Sequence, residues 1–89
     1  MDRNEPYRIA SKQLLHAEES GFKEISKLTG THEEKKIVGE DNNQYDVEML
    51  YSWLNDDKLK IRVTCRVTST NWYSHEQLEE SITIAAALT

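Results

Sequence analysis

Two stretches in which apolar and polar residues alternate constrain the fold more than any other feature. In the first stretch, every odd-numbered residue from 45 to 53 is apolar. In the second stretch, every odd-numbered residue from 59 to 67 is apolar. A period of two is typical of a strand with one buried face and one solvated face. The Asn-Asp-Asp sequence at 55–57 between them is typical of a turn. We therefore predict two long strands joined as an antiparallel hairpin.

The register of this hairpin can be predicted from its two faces. A two-residue loop would place Trp53 opposite Lys60, so that the apolar side chains of one strand would lie opposite the charged side chains of the other. A three-residue loop at 55–57, with an Asp in the left-handed region, places Trp53 opposite Leu59. It also places Asp46 opposite Arg66 and keeps both faces consistent, because a one-residue slip inverts a whole strand. We predict the three-residue loop.

The N-terminal region has the spacing of an amphipathic helix. Pro6 suits a first helical turn, and the following apolar residues recur at intervals of three or four. Gly21 resembles a helix stop, yet Phe22, Ile25 and Leu28 continue with a spacing of three. We predict a helix that extends to about residue 28, with a short irregular strand after Gly21 as the alternative.

The remaining chain is predicted to supply two further strands. Residues 35–39 form a short one, and the polar residues 40–43 after it form a turn. After a polar connection over 68–77, residues 78–87 alternate with Ile82, Ile84 and Ala86 facing inward. The predicted fold is α+β, with an N-terminal amphipathic helix (about 6–28) packed on a four-stranded antiparallel meander sheet (about 34–87). Residues 1–89 are predicted to be a single domain.

Several classes of protein are excluded by what the chain does not contain. No stretch approaches the roughly 20 apolar residues of a membrane span, and the charged N-terminus is unlike a signal peptide. Cys65 stands alone, so that neither an intrachain disulfide nor a cysteine-based zinc site can form. These features predict a cytoplasmic protein without a membrane anchor.

No motif predicts a catalytic, cofactor or metal site. His16, His32 and His75 are not at ligand spacings, and there is neither a nucleophile elbow nor a glycine-rich phosphate loop. The five acidic doublets fall mostly in predicted turns, where water reaches them. Cys65 lies on the inward row of a strand, which predicts a buried thiol. We expect no enzyme activity, no cofactor and no metal.

Charge is unevenly distributed along the chain, whose formal net charge is -5. Residues 33–57 carry eight acids and two lysines, whereas residues 58–68 carry four bases and no acid. The basic row could bind a polyanion, but the aromatic residues of the hairpin face the other way. The negative net charge also disfavours nucleic acid. We expect cross-strand ion pairing on a solvated face instead.

Residues that break the alternation predict a partner surface. Leu50 and Leu54 fall on the polar row, and Trp72 and Tyr73 adjoin each other in a polar loop. Exposed Trp and Tyr are typical of protein-binding hot spots, and the outward leucines could join them in one patch. Alternatively, the loop folds over the end of the sheet and covers Leu54. The predicted surface comprises Leu50, Lys60, Arg62, Arg66, Trp72 and Tyr73.

Two resemblances to known families can be drawn. Residues 34–67 resemble a layout in small bacterial proteins, with an acidic turn, a strand starting with Tyr, a turn of Trp-Asx-Asp type and an Ile-Arg-Val strand. This covers about a third of the chain and implies an α+β fold without an activity. The order of helix then meander resembles the cystatins, inhibitors of cysteine proteases. The sequence KKIVG at 35–39 resembles their Gln-x-Val-x-Gly motif, but it departs at the glutamine and the valine and lacks the family's N-terminal glycine.

These features together predict a small acidic protein-interaction module without catalysis, such as an inhibitor, an immunity-type protein or an accessory subunit. The alternative is a ligand-binding protein or enzyme with a pocket between helix and sheet, whose polar residues would be Tyr45, Tyr51 and Trp53. The predicted assembly is a monomer or a weak homodimer through the C-terminal strand, an edge that has few blocking charges.

Overall fold

One helix packs on one face of an open four-stranded sheet, as the alternation and the helical spacing predict. The computed structural model describes residues 4–70 and 77–86. Helix α1 (Asn4–Ser26) precedes strands β1 (His32–Val38), β2 (Gln44–Trp53), β3 (Lys60–Ser69) and β4 (Gln77–Ala85). All neighbouring strands are antiparallel, in the order β1-β2-β3-β4. The α+β prediction is confirmed. Within the described residues, no helix combines the length and apolar character that crossing a membrane requires.

The core lies between α1 and the inner face of the sheet. The odd-numbered residues of β2 and β3 face α1, which packs mainly across β3 and β4. Ile61, Val63 and Cys65 are completely inaccessible to solvent, so β3 is the centre of this layer. From the helix, the core receives Ile9, Ala10, Leu14, Ala17 and Ile25.

The hairpin register differs from the prediction by two residues. Trp53 pairs with Ile61 rather than with Leu59, and the Leu54 N–H donates to the Lys60 carbonyl at 2.9 Å. The loop therefore has five residues, 55–59, and Lys58, not an aspartate, takes the left-handed conformation at φ 58°. Leu59 is 46% exposed in this loop. The three-residue loop was wrong because a shift of two residues keeps every side chain on its predicted face.

Helix α1 is interrupted at Gly21, which explains the conflicting signals there. Gly21 has φ 85° and ψ 167°, outside any helical conformation, and the helix resumes after it. The second segment places Phe22 against Trp53, with ring centroids 5.8 Å apart, and buries Ile25. The predicted continuation past Gly21 is therefore correct, although the helix ends at Ser26 rather than near Leu28.

Substitution of Gly21 tests the importance of this interruption. The backbone conformation at Gly21 is one that only glycine adopts readily, so Gly21→Ala should lower the free energy of unfolding by about 1–3 kcal/mol. The expected loss comes from the backbone alone, since a methyl group there meets no atom within 4 Å. Urea denaturation measures it, with the neighbouring exposed Ser20→Ala as control. Equal stability of the two variants would contradict this interpretation.

The first turn of α1 is attached to the β1–β2 turn through a buried carboxylate. Glu5 accepts hydrogen bonds from Arg8 Nε at 2.6 Å and from the backbone N–H of Glu40. A Cβ atom at Gly39 would lie 2.7 Å from carboxylate oxygens of both Glu5 and Asp41, so a larger residue there would displace these carboxylates from their present positions. The hydrogen bond from Arg8, aided by that from Glu40, holds the pKa of Glu5 below its ordinary value.

The same turn is closed by a second carboxylate. Asp41 Oδ2 accepts a hydrogen bond from the Tyr45 hydroxyl at 2.6 Å, and Asp41 Oδ1 accepts one from the Asn43 N–H at 3.0 Å. The tyrosine bond lowers the pKa of Asp41, whereas burial and the nearby carboxylate raise the pKa of Tyr45 to about 12. Tyr45 thus ties the turn to the core.

The pH dependence of stability should reveal the Glu5 contact. A carboxylate whose pKa is lowered by folding contributes stability above its unfolded value, 4.5, and that stability is lost as the pH falls through the folded pKa. Glu5→Gln should therefore destabilise the protein at about pH 7 and less so near pH 3. Urea denaturation at both pH values measures the difference. Glu19→Gln, an exposed change on the same helix, should have little effect, and a Glu5→Gln deficit that persists undiminished near pH 3 would contradict the assignment.

Candidate interaction surface

The sheet face turned away from α1 is the candidate site, and we call it the outer face. The even-numbered side chains of β1, β2 and β3 and the odd-numbered side chains of β4 lie on it, in rows that cross the sheet. One row joins Glu34, Glu48, Arg66 and Glu79, and the next joins His32, Leu50, Thr64 and Ser81. The helix covers none of these rows, because it occupies the opposite face.

Arg66 is held at the centre of the outer face by two carboxylates. Its Nη1 donates to Glu48 Oε1 at 2.8 Å, and its Nη2 donates to Glu79 Oε1 at 2.8 Å. The hydrogen bond to Glu79 is the main reason that the pKa of Arg66 is raised. The expected cross-strand ion pairing is present, but with Glu48 in the place predicted for Asp46. That difference follows from the two-residue shift in register.

Arg62 and Lys60 differ from Arg66, since neither has an ion-pair partner in the described part of the chain. Arg62 lies opposite Ser52 on β2 and Thr83 on β4, which have no charge. Its guanidinium therefore has no carboxylate directly opposite it on either neighbouring strand.

Four of the six residues predicted as a partner surface share the outer face. Leu50 is half-buried beside Thr64, and Arg62 and Arg66 lie on the neighbouring strand, while Lys60 lies at the end of that strand. Trp72 and Tyr73 lie outside the described residues. Two open depressions of about 490 Å³ each lie on this face, and Arg66 lines both.

The outer face also holds a cluster of possible metal ligands that the sequence did not predict. His32, Glu34 and Glu48 present ligand atoms that all lie within 4.8 Å of one another, so together they could hold a cation. His32 and Glu34 are two residues apart on β1 and therefore point to the same face. Strand β1 begins three residues earlier than predicted. In the sequence, the His-x-Glu spacing at 32–34 is the one indication that these two side chains could share a strand face. Arg66 already supplies a positive charge to Glu48 and would compete with any cation there.

The residues predicted for a helix–sheet pocket make other contacts. The Tyr51 hydroxyl donates to Glu33 Oε1 at 3.1 Å, and burial is the main cause that raises the pKa of Tyr51 to about 12. Tyr45 bonds Asp41, and Trp53 packs on Phe22. Of these three side chains, Tyr51 lines an open depression of about 270 Å³ between α1 and the β1–β2 side of the sheet.

The thiol of Cys65 is buried in the core, as predicted from its inward position. It is inaccessible to solvent, and burial raises its pKa to about 11. A nucleophilic cysteine needs an accessible thiolate near neutral pH. The geometry therefore gives Cys65 the character of a small apolar core residue.

Comparison of the chain with protein-family models, with curated proteins and with solved structures finds no match. Interpretation of the outer face therefore depends on its own geometry and charge.

Neutralising Arg66 tests the ion-pair row. Arg66→Gln removes two exposed or half-exposed ion pairs, so we expect a small loss of stability that is greater at low salt than at high salt, because salt screens surface charges. Urea denaturation at low and high NaCl concentrations measures this difference. Arg62→Gln is the matched control on the same strand, with no ion pair to lose. An equal salt response in both variants would contradict the assigned pairing.

Proposed function

We propose that this protein is a non-catalytic interaction module that binds a partner protein through the outer face. The single observation that carries the proposal is that Arg62, which has no ion-pair partner within residues 4–70 and 77–86, lines the same open depression as the apolar Leu50, on a face that α1 leaves uncovered. The partner we propose presents a carboxylate to Arg62 and an apolar side chain to Leu50.

The chemistry of these two residues supports a protein partner. Arginine forms planar, bidentate hydrogen bonds with carboxylates and is enriched at hot spots of protein interfaces. Leu50 lies next to Thr64, so an apolar contact at this position would be surrounded by polar groups. A small apolar centre within a polar rim is typical of transient interfaces.

The surrounding charges favour a protein over a nucleic acid. Glu48 and Glu79 neutralise Arg66, and Glu34 adds a further negative charge to the same row. A phosphate backbone that approached Arg62 would meet these carboxylates, whereas a folded partner can present charges of both signs. The proposed setting is the cytoplasm, where the lone Cys65 would stay reduced.

Charge reversal at Arg62 tests the proposal. Proteins captured from a cell extract by the wild-type chain are identified, and the purified partner is titrated against the wild-type and Arg62→Glu chains by calorimetry. We expect Arg62→Glu to weaken binding at least about tenfold, because a repulsion replaces an attraction at the interface. The same charge change on the exposed side of α1, Lys12→Glu, should leave the affinity unchanged.

The proposal is wrong if the Arg62→Glu chain binds the identified partner as tightly as the wild type does. Equal losses for Arg62→Glu and Lys12→Glu would also overturn it, since they would indicate a general charge effect rather than a contact on the outer face. Far-UV circular dichroism of both variants establishes that they remain folded.

A further inference from the structure

The two edges of the sheet differ in chemistry. Edge strand β1 carries five consecutive polar or charged side chains, at residues 32–36, and all of them are exposed. Charges on an edge strand oppose pairing with another chain. Edge strand β4 has Glu79 and Glu80 in its first half, but residues 81–85 carry no charge. Within residues 4–70 and 77–86, no strand pairs with the outer edge of β4.

The backbone groups on the free edge of β4 can be identified. The Ala86 N–H donates to the Leu59 carbonyl at 2.8 Å, and hydrogen-bonded pairs alternate along an antiparallel ladder. Ile84 and Ile82 therefore bond to β3, whereas the N–H and C=O groups of Thr83 and Ser81 point away from the sheet. These outward groups have the pattern that another antiparallel strand requires.

Apolar side chains of α1 lie next to this edge. Tyr7 and Leu15 are 55% and 53% exposed. Together with Leu14 and Ile82 they line an open groove of about 360 Å³ between α1 and β4. The unpaired edge and the exposed apolar residues thus form one continuous surface.

We propose that this surface binds a second copy of the chain, with the two β4 strands antiparallel and Ser81 at the two-fold axis. This register pairs all nine residues of β4 and aligns their outward backbone groups. It places Glu79 and Glu80 opposite Thr83 and Ile82 of the second copy, so that no two carboxylates oppose each other. A shift of the axis to Glu80 would place that residue opposite its own copy, which like-charge repulsion disfavours.

Charge and helix packing agree with this register. Arg62 lies beside Thr83 within one chain, and Glu79 of the second copy would lie on the other side of that threonine. A long arginine side chain can reach across one strand to that carboxylate. Because α1 packs on β3 and β4, the two helices would lie about 10 Å apart, at the upper end of the range for packed helices. The two helices would run antiparallel, so that the exposed Tyr7 and Leu15 of each chain lie between them.

Concentration-dependent mass and an edge proline test the proposal. Sedimentation equilibrium from about 10 μM to about 1 mM should show the mass rising from that of one chain to that of two. Thr83→Pro removes an outward N–H without removing a bond to β3, and it should weaken the dimer at least about tenfold. Lys36→Pro is the matched control, since its N–H points outward from the β1 edge, and it should leave the dimer unchanged.

A second pair of variants keeps the test decisive if proline impairs folding. Leu15→Lys, an exposed change on α1, should also weaken the dimer because it places a charge in the apolar contact between the two helices. Under oxidising conditions Ser81→Cys should link two chains by a disulfide, whereas Gln77→Cys should not, since Gln77 faces Ala85 of the second copy. Buried Cys65 does not compete for this reaction.

Several results would overturn the dimer. A single-chain mass up to about 1 mM excludes it, and an equal loss in Lys36→Pro and Thr83→Pro excludes the β4 edge as its location. More efficient linkage by Gln77→Cys than by Ser81→Cys excludes the register. The dimer is read from the mass of the wild-type, Thr83→Pro and Lys36→Pro chains, and the partner surface from the affinity of Arg62→Glu at concentrations below those at which the chain dimerises. Either proposal can therefore fail without the other.

Discussion

The structure depends on the burial of two adjacent apolar rows, those of β2 and β3, on one face of the sheet. A hairpin with such rows is unstable alone, because its apolar face stays in water until another layer covers it. Helix α1 supplies that layer, and Ile61, Val63 and Cys65 become inaccessible beneath it. Because α1 packs mainly on β3 and β4, it covers the inner face of these strands more than that of β2.

The helix is held over the sheet at both of its ends. At the first turn, the buried carboxylate of Glu5 binds the backbone of the β1–β2 turn. Near the other end, the break at Gly21 redirects the chain so that Phe22 reaches Trp53. An uninterrupted helix would keep one axis. The break at Gly21 changes the direction of the second segment, so that α1 also contacts Trp53 at the end of β2.

Coverage by a single helix leaves two kinds of surface with different chemistry. On the outer face, the acidic segment 33–57 and the basic segment 58–68 supply neighbouring strands, and Glu48 of the first pairs with Arg66 of the second. Arg62 remains without a partner in the described part of the chain. At the β4 edge, backbone groups that pair with no other strand in the described ranges lie near Tyr7 and Leu15. The first surface suits a partner with charges, and the second suits an identical strand.

The sequence by itself determined which side chains lie on which face, because strand alternation has a period of two and burial selects one of the two rows. It also determined the helix, the meander and the inward position of Cys65. Only the tertiary structure decided the register, since a shift of two residues leaves every face unchanged. That shift selects Glu48 rather than Asp46 as the partner of Arg66. The joining of His32 to Glu34 and Glu48 likewise required β1 to pair with β2, a long-range contact that no local pattern specifies.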